Sequence, residues 1–372
     1  MGRCFIDGNE AIARGAMAAG CGFFAGYPIT PATSIYQLML QLLPPAGGVC
    51  LQGEDEIASI GFCLGAAMAG MKAMTATSGP GISLYSEQLS FAIAGEIPLV
   101  IVDVQRLGPS TGSATKGADG DILFLRWSNS GGLPVVVLAP EDVRDCYLQT
   151  VQAFNLAEKY RCPVFIASNK EIGLTRESVD LAAISLPPPI NRVGCPPDHS
   201  GRPFQPLPGQ LVPPFLPIGG ERLSRQTSST HGEDGYITTD PEAIERMINR
   251  LQIKLVGIDT EIAAVETDCR PGDEILLVVY GVTARAARTA LRQLREGGEK
   301  VSLLVVKLLY PVPEELLRRH LAECKRVVVV EMNTGQYLRE IERLAGSTPV
   351  SWFGRMNGEL IDPQTIVAWV RS

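Results

Sequence analysis

The sequence predicts an α/β protein with two domains, of which the first is a doubly wound parallel sheet and the second is smaller. One observation is length, because 372 residues exceed the usual size of a single domain. Another is the alternation of short apolar runs with helical patterns over 1–186 and again over 270–372. A Pro- and Gly-rich stretch, 187–239, has neither periodicity and separates the two regions.

The first domain, 1–186, is predicted to be covered by helices on both faces of its sheet. Its strands are short and apolar, as is typical of parallel strands that are buried on both faces, and they are predicted at 21–25, 49–52, 71–76, 99–104, 135–139 and 164–167. Helices with an apolar face are predicted between them at 9–19, 34–43, 54–70, 82–94 and 140–160. A tight loop at 77–81 and a polar loop at 106–121 interrupt this alternation.

The segment 187–239 is predicted to be an irregular arm. Its apolar residues, Phe204 and Phe215 among them, indicate that the arm wraps over a surface, because a free linker would carry fewer such residues. Asp240 and Pro241 then form a favourable helix start. Apolar residues continue on one stripe as far as Val265, which predicts a connecting helix of about seven turns within 240–269.

The second domain, 270–372, is predicted to be another α/β sheet. Strands are predicted at 275–280, 301–306 and 326–331, and helices at 283–296, 313–324 and 336–344. In the first of these helices Ala284, Ala287 and Leu291 share an inward face, while Arg285 and Arg292 face water.

Composition and charge exclude several functions. The net charge of −7 and the absence of a basic patch argue against nucleic acid as a partner. The N-terminus has no signal-peptide pattern, and no apolar run approaches the roughly 20 residues of a membrane span. The nine cysteines contain no C-x-x-C pair, which is typical of reduced thiols and argues against a metal or iron–sulfur site within this chain. We therefore expect a cytoplasmic protein without membrane contact.

The loop Gly26-Tyr27-Pro28-Ile29-Thr30-Pro31 is the first candidate site. Its two prolines fix the backbone, so Tyr27 and Thr30 are held extended and the Thr30 hydroxyl is presented from a stiff bend. Rigid loops between a strand and a helix are where open α/β sheets bind ligands. The alternative is an ordinary helix start with Thr30 as its cap and Pro31 in its first turn.

The second candidate site is a run of three carboxylates, Glu54, Asp55 and Glu56. They stand at the start of an otherwise apolar helix, where the helix dipole favours negative charge. The alternative is a solvated helix cap. However, the residues after Glu56 are too apolar to face water, so its carboxylate is expected to be partly desolvated and suited to sharing a proton with a heterocycle nitrogen.

Arg106 follows a predicted buried strand and precedes a loop with several Ser and Thr residues. Arg106 and Lys116 bracket the hydroxyls of this Gly-rich loop, and such a combination can bind a carboxylate. The alternative is a flexible solvated loop. The tight loop 77–81 matches neither G-x-G-x-x-G nor a Walker sequence, so the commonest nucleotide sites are not expected.

Taken together, these motifs resemble the α subunit of the 2-oxoacid:ferredoxin oxidoreductases, most closely the 2-oxoglutarate type. The resemblance extends over essentially the whole chain. It rests on six stretches, none of which would suffice alone, namely 26–31, 54–61, 77–81, 105–112 with Thr115 and Lys116, 231–235 and 331–336.

The resemblance implies a fold and a division of labour between subunits. The first domain would be the pyrimidine-type half of a thiamine diphosphate site, and the second would be similar to the transketolase C-terminal domain. The family's diphosphate-binding half carries a GDG motif followed by Asn with Mg²⁺, whereas 117–121 here is Gly-Ala-Asp-Gly-Asp. Mg²⁺ and a [4Fe–4S] cluster are therefore expected on a separate β subunit, in an (αβ)₂ assembly that uses CoA and ferredoxin. Separate γ and δ subunits are possible additions.

The resemblance also implies roles for single residues. Glu56 would be the catalytic residue that bonds the aminopyrimidine nitrogen, and Pro28 and Thr30 would line the cofactor. Thr30 and Arg106 would bind the substrate's oxo group or carboxylate, and Thr115 and Lys116 a second carboxylate. Members selective for 2-oxoglutarate often carry Leu-Pro before this Thr-Lys pair and Glu-Gln after it, whereas this chain has Ser-Ala and Gly-Ala. Pyruvate, a branched-chain or an aryl 2-oxoacid therefore stays an alternative substrate, and a non-catalytic partner subunit an alternative function.

Overall fold

In the computed structural model, which describes residues 2–199 and 201–372, the first domain is built on a parallel sheet. Its strands are β1 (Arg3–Asp7), β2 (Phe23–Gly26), β3 (Val49–Gln52), β4 (Ala73–Thr77), β5 (Leu99–Gln105), β6 (Val136–Leu138), β7 (Pro163–Asn169) and β8 (Arg176–Asp180). Its helices are α1 (Gly8–Ala18), α2 (Thr33–Leu42), α3 (Glu56–Met68), α4 (Pro80–Leu84), α5 (Ser86–Ala94), α6 (Ile122–Trp127), α7 (Val143–Tyr160) and α8 (Lys170–Leu174).

The strand order β6-β7-β5-β4-β2-β3 places β5 and β7 in the middle of the sheet, where every residue of both strands is buried. Helices α1, α2 and α7 pack on one face, and α3 and α5 pack on the other. Burial on both faces explains why these strands read as continuous apolar runs. β3 is the exposed edge of the sheet.

The second domain contains a five-stranded sheet in the order β14-β13-β10-β11-β9. Its strands are β9 (Val265–Asp268), β10 (Ile275–Tyr280), β11 (Val301–Val306), β13 (Arg326–Glu331) and β14 (Val350–Gly354), with β9 antiparallel. Its helices are α10 (Thr283–Glu296), α11 (Glu314–Ala322), α12 (Leu338–Leu344) and α13 (Pro363–Arg371), and α9 (Pro241–Ile253) precedes them.

A strand from the second region, β12 (Leu308–Tyr310), joins the sheet of the first domain. It pairs antiparallel with β6, so that Leu308 lies opposite Leu138 and Tyr310 lies opposite Val137. Buried ion pairs reinforce this joint, because the Lys307 ammonium contacts Glu141 at 2.6 Å and also Asp145. The two domains are therefore joined through a shared sheet.

The arm packs against the first domain through its own carbonyl groups. Arg161, fully buried at the end of α7, donates to the carbonyls of Pro203, Pro213 and Pro214 at 3.5, 3.0 and 3.3 Å. Because a buried guanidinium needs hydrogen-bond acceptors, these carbonyls offset the cost of its desolvation.

The prediction of a connecting helix of about seven turns within 240–269 is wrong, because the helix is shorter. Asp240 caps the helix as predicted, by accepting a hydrogen bond from the Ala243 N–H at 3.0 Å. However, α9 ends at Ile253, and the chain then turns through Gly257, whose φ of +84° suits glycine. The apolar stripe continued beyond the helix because Leu255 and Ile258 are buried in the turns that follow.

Two further differences concern short elements. The helix predicted at 82–94 is divided into α4 and α5, and α4 already begins at Pro80 within the loop predicted at 77–81. The sequence predicts neither the antiparallel pair β1–β8 nor the strands β9, β12 and β14 nor the helices α6, α8 and α13, and β9 lies where the connecting helix is predicted. No helix in the described ranges combines the length and apolar composition required to cross a membrane.

Candidate active site

The candidate residues lie where neighbouring parallel strands end. The 26–31 loop follows β2, the 77–81 loop follows β4, and Arg106 follows β5. Glu56 begins α3, directly after the edge strand β3. Since carboxyl ends of parallel strands meet at one edge of a sheet, the fold brings these four segments to one crevice.

Only one of the three carboxylates at the start of α3 is buried. Asp55 caps the helix by accepting a hydrogen bond from the Ala58 N–H at 2.7 Å, and it is exposed like Glu54. Glu56 is 7% exposed. No hydrogen bond or ion pair joins its carboxylate to another residue in the described part of the chain. The site thus presents a buried acid with free oxygens at a helix N-terminus, where the dipole favours its charged form.

The 77–81 loop forms the wall beside Glu56. A Cβ on Gly81 would lie 2.0 Å from Thr77 Oγ1 and 2.7 Å from Glu56 Oε1, so only glycine fits there. In the described part of the chain, the buried hydroxyls of Thr77 and Ser78 have no partner at normal hydrogen-bond geometry. Because buried polar groups are normally paired, free hydroxyls beside a free carboxylate fit a polar heterocycle as the ligand.

Arg106 connects the 106–121 loop to the 26–31 loop. It is 5% exposed and donates from Nη1 to the Thr30 carbonyl at 2.6 Å and from Nη2 to the Thr111 carbonyl at 2.9 Å. A Cβ on Gly79 would lie 2.6 Å from its Nε, and this Nε has no hydrogen-bond partner among residues 2–199 and 201–372. The structure therefore brings Arg106 together with Thr30, as the sequence predicts for a shared site.

The Thr30 side chain does not cap a helix, so the alternative interpretation of that loop is wrong. α2 begins at Thr33, and its cap, Ala32, makes no side-chain hydrogen bond. Asn9 holds the bend instead, because its Nδ2 donates to the Pro31 carbonyl at 2.9 Å and to Ser34 Oγ at 2.7 Å. Pro28 and Thr30 are both exposed at the crevice.

Thr115 and Lys116 lie on the exposed part of the 106–121 loop. The loop is closed on itself by hydrogen bonds from the Leu107 N–H to the Lys116 carbonyl at 2.8 Å and from the Ser113 N–H to the Leu107 carbonyl at 2.9 Å. In the described ranges, no hydrogen bond or ion pair joins either side chain to Glu56 or Arg106. Their proposed contact with a second carboxylate stays a prediction.

Sequence reasoning missed a group of buried acids behind Arg106. Burial raises the pKa of Asp119 to about 7, with the charge of Glu331 adding to the effect, and raises the pKa of Asp121 to about 6. Burial and the neighbouring Asp121 raise the pKa of Asp103 well above its ordinary value, because the two carboxyl groups lie within hydrogen-bond reach of each other. The available signal is Asp103, a charged residue inside the apolar run of β5.

Two family descriptions match this chain. Residues 14–250 match the family described as pyruvate flavodoxin/ferredoxin oxidoreductase, thiamine diphosphate-binding, and residues 273–366 match pyruvate:ferredoxin oxidoreductase core domain II. The chain belongs to the pyruvate flavodoxin/ferredoxin oxidoreductase family. The resemblance inferred from the sequence motifs is thereby confirmed, and the first domain is of the thiamine diphosphate-binding type.

Two relatives in this family have nearly the same length as this chain. The 2-oxoglutarate synthase subunit KorA of Methanocaldococcus jannaschii is 41% identical over 365 residues, which are 97% of each chain. The ketoisovalerate oxidoreductase subunit VorB of Methanothermobacter marburgensis is 34% identical over 368 residues, which cover 99% of this chain and 97% of the relative.

Solved structures agree with the fold. A 2-oxoglutarate:ferredoxin oxidoreductase from Magnetococcus marinus, with 2-oxoglutarate, coenzyme A and succinyl-CoA bound, matches with a TM-score of 0.93 at 34% identity. That match covers 99% of this chain and 65% of the other. A split-gene transketolase in an inactive β4 tetramer matches with a TM-score of 0.56 at 14% identity, over 98% of this chain and 97% of the other. This second likeness shows the fold alone and agrees with the predicted transketolase-like architecture.

Proposed function

We propose that this chain is the α subunit of a CoA-dependent 2-oxoglutarate:ferredoxin oxidoreductase, and that it supplies the pyrimidine half of a thiamine diphosphate site. The observation that carries the proposal is Glu56, a buried carboxylate that no hydrogen bond or ion pair joins to the described residues, near the loop that carries the Thr77 and Ser78 hydroxyls. A thiamine diphosphate-binding family provides a ligand of matching chemistry, because its aminopyrimidine is a polar heterocycle.

Glu56 shares a proton with the aminopyrimidine ring nitrogen in this proposal. The N-terminus of α3 stabilises its charged form, while the buried surroundings strengthen any hydrogen bond to the ring. Thr77 and Ser78 are the further residues that would hold the ring, and Gly81 leaves space for it. The cofactor, when bound, supplies the electron sink for loss of CO₂ from the 2-oxoacid.

Arg106 and Thr30 bind the reacting end of the substrate. The Thr30 hydroxyl is exposed at the crevice, and the buried Arg106 holds the carbonyl of the same residue at 2.6 Å. Arg106 therefore supplies positive charge and also fixes the hydroxyl's position. Thr115 and Lys116 meet the distal carboxylate, which distinguishes 2-oxoglutarate from monocarboxylic 2-oxoacids. The higher identity to a 2-oxoglutarate synthase subunit than to a ketoisovalerate oxidoreductase subunit supports this substrate.

The remaining parts of the site come from other subunits in this proposal. No group of three or more His, Cys, Asp or Glu side chains in the described ranges is arranged to hold a metal ion. A β subunit would therefore bring Mg²⁺ and the [4Fe–4S] cluster that passes electrons to ferredoxin, in an (αβ)₂ assembly with or without γ and δ subunits. Exposed apolar side chains on α3 and β3, namely Ile57, Phe62 and Leu51, suit a surface that such a subunit covers.

The test is a substrate screen on the chain reconstituted with its β subunit. Reduction of a viologen dye is measured with CoA and, in turn, 2-oxoglutarate, pyruvate, 2-oxoisovalerate and an arylpyruvate. We expect the highest kcat/KM with 2-oxoglutarate and formation of succinyl-CoA. Preference for another acid would overturn the substrate, and no 2-oxoacid-dependent reduction would favour a non-catalytic partner subunit.

A further inference from the structure

The turn 331–336, which follows β13 in the second domain, has no role in the site described so far. It is the Glu-Met-Asn-Thr-Gly-Gln stretch that the family resemblance includes. Glu331 and Asn333 are each 1% exposed, so they are polar residues in the interior of the protein. Buried polar side chains are normally hydrogen-bonded, so their partners show which segments they hold in place.

The Asn333 side chain forms a hydrogen bond to the end of the 106–121 loop. Its Nδ2 donates to the Asp119 carbonyl at 2.9 Å and to the Tyr280 hydroxyl at 2.6 Å. The Asp119 N–H donates in return to the Met332 carbonyl at 2.9 Å. Asp119 is thus held on both sides of its peptide by the turn.

Gln336 bonds to the residues that follow Asp119. Its Oε1 accepts a hydrogen bond from the Leu123 N–H at 2.9 Å, and its Nε2 donates to the Gly120 carbonyl. Both ends of one side-chain amide are therefore used on the first domain. A side chain of different length or polarity would lose one bond or both.

The turn is itself held firmly. Asn333 Oδ1 accepts hydrogen bonds from the N–H groups of Gly335 and Gln336, both at 2.9 Å. Glu331 accepts from the Tyr280 hydroxyl at 2.9 Å, so the side chain that Asn333 bonds is fixed as well. The position of Asn333 is therefore set by the second domain and not by the loop that it holds.

The held residues are connected to the substrate-binding side chains. The Asp121 N–H donates to Gln105 Oε1 at 2.9 Å, and Gln105 directly precedes Arg106. At the other end of the loop, the Leu107 N–H bonds to the Lys116 carbonyl at 2.8 Å. Displacement of 119–121 would thus shift both Arg106 and Lys116.

We propose that Asn333 and Gln336 are positioning residues of the second domain, which hold the 106–121 loop so that Arg106 and Lys116 face the 2-oxoacid. This proposal rests on the proposed function for its kinetic consequences. Its structural part, the anchoring of the loop, does not depend on which reaction the site performs.

The test uses Gln336→Ala and Asn333→Ala in the reconstituted αβ complex. Loss of a buried hydrogen bond is expected to raise KM for 2-oxoglutarate about tenfold, while kcat changes less than about threefold. Gln336→Glu keeps the side-chain length and the acceptor for the Leu123 N–H, so we expect it to restore part of the affinity. Amide hydrogen exchange across 106–121 is measured in the same samples and is expected to rise about tenfold in the alanine variants.

Arg288→Ala provides the matched control. Arg288 also joins the two domains, through a contact with Glu141 at 2.7 Å, but in the described ranges no hydrogen bond or ion pair joins it to the loop or the turn. We expect it to lower the unfolding temperature and to leave KM and loop exchange unchanged. Unchanged loop exchange in Gln336→Ala, or an equal rise in Arg288→Ala, would overturn the proposal. A wild-type complex that converts no 2-oxoacid would defeat the proposed function alone, because exchange still decides whether the turn anchors the loop.

Discussion

The two sides of the crevice are built in different ways. Glu56 and Arg106 are about equally buried, at 7% and 5% exposed. Arg106 makes two hydrogen bonds to carbonyl groups of this chain, and the second domain holds its loop. In the described ranges the Glu56 carboxylate makes none, and Ile57 and Phe62 on the same helix are 48% and 46% exposed.

This difference indicates which half of the site the chain completes by itself. A buried carboxylate without a partner is costly, so Glu56 requires a hydrogen-bond donor from outside the chain. Exposed apolar side chains around it require a covering surface. The Arg106 side has its partners within the chain, so we infer that the substrate half is preformed, whereas the cofactor half is completed by the β subunit.

Glu56→Gln tests the cofactor half and should have the largest effect. Glutamine keeps the size of the side chain but cannot take up a proton, and loss of a positioned acid–base group typically costs about 10²–10⁴-fold in rate. We expect this loss in 2-oxoglutarate-dependent viologen reduction by the αβ complex. Glu54→Gln is the matched control, since Glu54 is exposed and should be replaceable without loss. Near wild-type turnover in Glu56→Gln would remove Glu56 from the catalytic role.

Asp119→Asn tests whether the substrate half of the site loses folding stability as pH rises. Burial raises the pKa of Asp119 from 3.8 to about 7, so the folded protein retains a proton that the unfolded chain releases above about pH 4. Stability is therefore present below pH 4 and is lost as pH rises through about 7. At about 1.4 kcal/mol for each pH unit, this loss amounts to about 4 kcal/mol.

In the wild type, Asp119 Oδ1 accepts a hydrogen bond from Asn169 Nδ2 at 2.7 Å. Asparagine cannot ionise, and it keeps an oxygen that can accept this bond. The variant should therefore lose less stability than the wild type between about pH 4 and 7, as measured by denaturant unfolding at each pH. Parallel curves for the two proteins would show that Asp119 is not held in its protonated form.

Arg106→Ala tests the substrate half directly. It removes a buried positive charge and both hydrogen bonds to the Thr30 and Thr111 carbonyls. We expect KM for 2-oxoglutarate to rise by an amount equivalent to roughly 1.5–3 kcal/mol, the cost of losing a charge-assisted hydrogen bond. Arg106→Lys retains the charge but cannot bridge two carbonyls, so its KM should be intermediate. An unchanged KM in the alanine variant would contradict the assignment.

Most of the parallel strands could be predicted from the sequence, because burial on both faces leaves a continuous apolar run such as that of β5. The strands β1, β8 and β14 could not, because they are mostly exposed or half-buried and leave no continuous apolar run, and β12 could not, because only one residue separates it from β11. The connecting helix was overextended because buried Leu255 continued a helical spacing past the end of α9.

The site was predicted unevenly for a similar reason. Glu56 and Arg106 are charged residues next to apolar patterns, and such a contrast is visible in the sequence. The burial of Asp103, Asp119 and Asp121 depends on how the 106–121 loop folds back on the sheet. The turn 331–336 in turn holds Asp119 by a hydrogen bond. Periodicity along the chain carries no information about such a contact between distant segments, so these acids could be found only in the structure.

Lys116→Met tests the most exposed part of the substrate half and should have the smallest effect. A Cβ on Gly358 would lie 2.7 Å from the Lys116 Cβ, so the stem packs on the second domain, and methionine keeps an apolar side chain there while removing the charge. Because Lys116 is exposed, its pair with the distal carboxylate of 2-oxoglutarate should contribute no more than about 1 kcal/mol, or about fivefold in KM. KM for pyruvate, which has no distal carboxylate, should stay unchanged in the same αβ complex. Equal changes in KM for both acids would show that Lys116 supports the loop and does not bind the second carboxylate. The choice of 2-oxoglutarate would then depend on Thr115 or on the partner subunit.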